Sequence, residues 1–150
     1  MEEKSIEDET MTTKEYLQQI RKLKNRIDQC IEQLDELKAY GAKAIDYSEV
    51  RVQTSPINQM EILAVTMSEE ETRLNSLIQK YIRQKREIIQ QINSLTDERH
   101  VVILYKRYVE FKSFTIIAKE MHYDYNWVCN LHGHALIAFD RQILQAHNKT

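Results

Sequence analysis

Residues 114–133, FTIIAKEMHYDYNWVCNLHG, set apolar side chains at the offsets that a helix-turn-helix requires. Two short helices crossing steeply can touch at only a few points, so the motif needs apolar residues there and a small one where the backbones meet. Counting Phe114 as the first position, Ile117, Met121, Tyr123, Val128 and Leu131 take the fourth, eighth, tenth, fifteenth and eighteenth, which are the buried offsets. Ala118 takes the small fifth. The ninth position usually carries glycine because the turn there has positive φ; His122 stands in its place, a residue more tolerant of that region than most. Ser113 is placed to cap the first helix and Asp124 the second, its carboxylate accepting from the free amides of the first turn.

Upstream, Thr96 is positioned to cap a helix over Asp97 to about Val109, with Val101, Val102, Leu104, Tyr105 and Tyr108 on its buried side, and Glu110 to Lys112 form a short turn. Downstream, the second motif helix continues from Tyr125 through Ala135, Leu136, Phe139, Ile143 and Leu144 to about His147. Before this unit, Thr12 and Glu15 form a capping box, followed by apolar residues spaced alternately four and three apart: Tyr16, Ile20, Leu23, Ile27, Cys30, Leu34 and Leu37. Gly41 marks the expected end of that helix, and Ser48, Thr54, Ser55 and Pro56 break the connector. A second heptad seam follows through Met60, Leu63, Met67, Leu74, Leu77, Tyr81 and Ile88.

The expected fold is therefore all-α. A disordered leader (1–11) precedes a long antiparallel helical hairpin of coiled-coil type over 12–95, with helices about 13–40 and 57–95, and a three-helix unit with the helix-turn-helix occupies 96–147. At 1.5 Å per residue the hairpin helices are roughly 42 and 58 Å long. The longer one overhangs, and its Ile88, Ile89, Ile92 and Leu95 need cover from the C-terminal helices. The heptads could satisfy each other within one chain or pair between two chains as a four-helix bundle; from Leu77 onward Ile78, Ile82, Ile89 and Ile92 widen the apolar face, which mildly favours a homodimer through the hairpin.

With two glycines, one proline and 29% charged residues in 150, the composition suits long helices with solvated faces. No apolar run approaches the ~20 residues of a membrane span, and the acidic N-terminus has no signal-peptide core. Cys30 and Cys129 form no disulfide framework, so a cytoplasmic location is expected. The net charge of −2 is uneven: the first ten residues carry −4, leaving about +2 on the rest.

In a helix-turn-helix the second helix enters the major groove and its N-terminal residues meet base edges. Its outward residues here are Tyr125, Asn126, Cys129, Asn130 and His134, alongside Asp124 and Gly133. Asn126 and Asn130 share one face, and an asparagine can bond adenine in two places. Tyr125 and Trp127 could stack on bases, although Trp127 could equally pack on the hairpin. Lysine and arginine are absent between Lys119 and Arg141, so phosphate contacts fall to Lys106, Arg107, Lys112 and Lys119. A basic collar of Arg21, Lys22, Lys24 and Arg26 with Lys80, Arg83, Lys85 and Arg86 could add grip, or could simply lace an exposed coiled coil with ion pairs.

Residues 94–144 resemble the last conserved region (region 4) of bacterial primary-type sigma factors. The likeness lies in Tyr105-Lys106-Arg107-Tyr108, Ile117-Ala118-Lys119-Glu120 and Ala135-Leu136. From Met11 on, through TTKEYLQQIRKLKNRI, KREIIQQINSL and VVILYKRYVEFKSFTIIAKEMHYDYNWVCNLHGHAL, the chain is similar to small phage and prophage regulators related to the RinA and ArpU late-gene activators. The resemblance implies a sigma-like unit behind a long helical pair, promoter or operator DNA as the ligand, and RNA polymerase as a partner in a bacterial host cell. Asn130 and His134 stand where the family pattern would have basic residues.

Chemistry of other kinds finds little support. Cys129, His132 and His134 do not complete a tetrahedral metal set, so no metal or other cofactor is expected. A phosphate-cradling glycine loop and a nucleophile with a recognisable base are both missing, which argues against an enzyme. Two alternatives to a transcription regulator stand: a small terminase-like DNA-packaging protein, which usually carries its DNA-binding motif first, and a helical scaffold in which the motif merely packs.

Overall fold

A computed structural model describes residues 11–48 and 56–148. The expected leader, Met11 apart, and the centre of the connector lie outside them. Helices hold 89% of the described residues and none of these is in a strand, so the chain is all-α. None of the described helices is long and apolar enough to cross a membrane.

The helices are α1 (Thr13–Leu17), α2 (Gln19–Ser48), α3 (Pro56–Asn93), α4 (Glu98–Leu104), α5 (Phe114–Met121), α6 (Tyr125–Phe139) and α7 (Gln145–Asn148). One π-helical turn, Tyr105–Val109, extends α4, and another, Asp140–Leu144, joins α6 to α7. The chain divides into two compact units, Lys22–Arg83 and the combination of Met1–Arg21 with Gln84–Thr150.

This division differs from the one expected at residue 96, because the first turns of the N-terminal helix belong with the C-terminal elements. Leu17 and Ile20 are fully buried. The Tyr16 hydroxyl donates to Gln91 Oε1 at 2.7 Å, and its ring lies 5.9 Å from that of Phe139. The overhang is covered: Ile88 and Ile92 are fully buried and Leu95 nearly so, while Ile89 keeps partial exposure. Among the described residues the largest fully buried side chains (Leu17, Ile20, Ile88, Ile92, Ile103, Leu104, Ile117, Val128 and Phe139) all belong to this unit. At about 1.5–3 kcal/mol each, they make it the hydrophobic centre of the chain. Ile103, absent from the expected buried side of its helix, is among them.

In the other unit Leu23, Cys30 and Leu34 are buried along α2. The Cys30 thiol lies 3.6 Å from the carbonyl oxygen of Glu70, and a Cβ on Gly41 would meet Leu63 Cδ2 at 2.9 Å. Ascending positions on α2 therefore meet descending positions on α3. Gly41 does not end the helix as expected; α2 continues to Ser48, and the missing side chain lets Leu63 approach instead.

Candidate nucleic-acid interface

The segment Phe114–Met121, His122 and Tyr125–Phe139 is built by local rules. Ser113 caps α5, its hydroxyl accepting from Ile116 N–H at 3.4 Å. The helix stops because His122 adopts the left-handed conformation, φ 58° and ψ 39°. Its N–H bonds Lys119 O at 3.4 Å and Tyr123 N–H bonds Ala118 O at 3.0 Å, the two reversed bonds of a Schellman ending. Ile117, Ala118, Val128 and Leu131 are buried as their offsets require, and Met121 is half-buried.

Tyr123 departs from expectation, being 40% exposed with its ring 6.2 Å from that of Trp127. The Schellman turn carries it outward onto the first turn of α6. Asp124 has the extended backbone of an N-cap, but its carboxylate makes no capping bond. Thr96 likewise does not cap α4. Asp97 does, accepting from Arg99 N–H at 2.9 Å, while the Thr96 N–H and hydroxyl both donate to Gln142 Oε1.

The outer face of α6 presents the expected reading residues. Tyr125, Asn126, Asn130 and His134 are exposed and Cys129 is half-exposed. A hydrogen bond to Cys129, one turn on, pushes the Tyr125 hydroxyl up from its ordinary pKa. Gly133 lies on the same side of the helix, and a Cβ there would meet nothing within 4 Å. The chain's own packing does not require that glycine.

Behind this face sits His132, an aromatic anchor missing from the sequence-derived core. Its Nε2 is 2.8 Å from the Tyr108 hydroxyl, and the Phe114 ring meets it edge-on at 4.8 Å. Burial first, then the positive charges of Arg107 and Lys14, pull the imidazole down to about 4. Burial also pushes Tyr108 up to about 12. Both groups are neutral near pH 7, so their bond joins α4's π-turn to α6 without a buried charge.

The four cations expected to hold phosphate have different fates. Lys106 Nζ is 3.0 Å and Lys112 Nζ 2.7 Å from Glu120, and Lys112 also pairs with Glu110. The Glu110 and Glu120 carboxylates push the Lys112 ammonium up, and the two lysines hold Glu120 below the usual carboxylate range. Arg107 donates to Lys112 O at 3.0 Å and lays its guanidinium over the Phe114 ring at 4.4 Å, bracing the turn. Lys119 is exposed on the last turn of α5. Glu120 thus holds two of the four, a role its place in Ile-Ala-x-Glu does not reveal.

Trp127 is 49% exposed, and Ile116 (47%) and Ile137 (51%) join Tyr123 as apolar surface of the same unit. The residues of the basic collar are divided between the two units. Both cysteines are free thiols, and the described residues contain no cluster of His, Cys, Asp or Glu able to hold a metal. Comparison with protein-family models, curated proteins and solved structures finds no match to the chain.

Proposed function

We propose that this chain is a sequence-specific DNA-binding transcription regulator of the sigma-like, phage or prophage late-gene type. An antiparallel hairpin (α2–α3) carries a helix-turn-helix unit of sigma region-4 type, and α6 enters the major groove in a bacterial cytoplasm. The observation that supports this most is α5–His122–α6 itself: a left-handed Schellman turn between two helices that bury Ile117, Ala118, Val128 and Leu131, with Asn126, Asn130 and His134 in a row on the outside. Such a row can bond base edges.

Affinity then has to come from elsewhere. Three of the four candidate phosphate contacts are engaged within the protein, so unaided binding is weak and its salt dependence shallow. This observation favours a regulator that reaches DNA together with RNA polymerase. It also supports a second reading, a helical scaffold in which α6 only packs. Titrating DNA from upstream of the chain's own gene, at several salt concentrations, against wild type and Asn126→Ala/Asn130→Ala separates the two. The regulator gives specific binding lost in the double variant; the scaffold gives none at any salt concentration.

A further inference from the structure

Most of the charge in the unit Lys22–Arg83 is sorted by level, although Arg73, paired with Glu70 at 4.0 Å, and Lys38 stand beside the acidic runs. On α2 a basic run (Lys22, Lys24, Arg26) is followed by an acidic one (Asp28, Glu32, Asp35, Glu36). On α3 the order is reversed, Glu69, Glu70 and Glu71 preceding Lys80 and Arg83. Because Cys30 sits against Glu70, and Gly41 beside Leu63, the two acidic runs share one level and the two basic runs the next. The result is an acidic belt and a basic belt with centres about ten residues, or about 15 Å, apart along the helices. Asp28, Glu32, Asp35, Glu36, Glu69 and Glu71 are all exposed, as are Lys22, Arg26, Lys80 and Arg83.

The same unit has unfinished apolar packing. The inward residues of α3, from Leu63 and Met67 through Leu74, Leu77 and Tyr81, are only half-buried. On the flanks of the same seam Ile31 (41%) of α2 and Ile82 (58%) of α3 are exposed. Two helices alone cannot cover a stripe that wide.

We infer that a second copy of the chain covers this face, packed antiparallel on the first about a two-fold axis near Ile27, so that each basic belt lies on the partner's acidic belt. A parallel pairing would set like against like. The antiparallel one satisfies both belts twice with a single self-complementary surface, and the product is a four-helix bundle. The inference does not depend on DNA binding.

The test is the mass of the full chain by light scattering after gel filtration, without DNA. Wild type should run at twice its 17.9 kDa. It should move toward monomer as salt rises from about 0.1 to about 1 M, which shortens the Debye length from about 10 to about 3 Å. Reversing the basic belt (Lys22→Glu, Arg26→Glu, Lys80→Glu, Arg83→Glu) should weaken self-association by about tenfold or more, with helicity retained by circular dichroism. Mixing that variant with one reversed in the acidic belt (Asp28→Lys, Asp35→Lys, Glu69→Lys, Glu71→Lys) should restore the dimer. A monomeric wild type at low salt overturns the inference. So does a belt-reversed variant that dimerises as tightly as wild type, the outcome of parallel pairing.

Discussion

His132 makes the unit that holds α5 and α6 sensitive to mild acid. In the unfolded chain its imidazole titrates near 6.5, and in the folded chain near 4. Between these values the unfolded chain takes up a proton that the folded chain refuses. Stability is therefore complete above about pH 6.5 and falls as the pH drops toward 4. At pH 4.5 the full linkage amounts to roughly 2.5 kcal/mol; because the ring is only half-buried, solvent screening reduces this to about 1–2 kcal/mol. His132→Gln keeps a partner for the Tyr108 hydroxyl but cannot titrate, so it should lose this part of the acid sensitivity. Urea unfolding at pH 7, 5.5 and 4.5, followed by the fluorescence of the single tryptophan, Trp127, reads this unit specifically. The difference between wild type and variant removes the contribution of Asp97 and Glu120, whose depressed carboxyls also cost stability in acid. Parallel loss of stability in both proteins from pH 7 to 4.5 would refute the argument.

Other substitutions follow from the same geometry. His122→Gly should raise stability by about 0.5–1 kcal/mol by relieving a left-handed side-chain residue. Phe111→Gly, at φ 59°, should lower it, because the ring under the Arg21 guanidinium at 5.8 Å is lost as well; both are read as urea midpoints. Glu120→Gln should free Lys106 for phosphate and leave Lys112 held by Glu110 alone, raising DNA affinity and steepening the log–log salt slope by about 0.9 per cation that reaches the backbone. Gly133→Ala should stabilise α6 by about 1 kcal/mol yet weaken DNA binding where the backbone approaches closely, measured by melting and by titration; unchanged binding would remove Gly133 from the interface.

Local rules made much of this molecule legible. Ser113, the Thr12–Glu15 box and the left-handed His122 follow from the preferences of single residues, and each stands where the sequence places it. The alternating spacing through Ile20, Leu23, Cys30 and Leu34 likewise marks side chains that are buried. What escaped depends on partners remote in sequence. Thr96 turns to Gln142, forty-six residues away, and leaves the cap to Asp97. Gly41 reads locally as a stop, but Leu63 of α3 fills its place and the helix runs on. The lysines near the motif read as free charge until Glu120 is folded back between them, and Ile103 is hidden by a helical face wider than its pattern suggests.

The central claim is that the outer face of α6 reads DNA, and fluorescence titration of a labelled upstream fragment tests it most directly. Wild type should bind that fragment over scrambled DNA of equal length, with affinity falling as salt rises, and Asn126→Ala/Asn130→Ala should abolish the preference while leaving the helical content unchanged. Equal binding by the double variant, or no binding by wild type at low salt with purified RNA polymerase present, would contradict it.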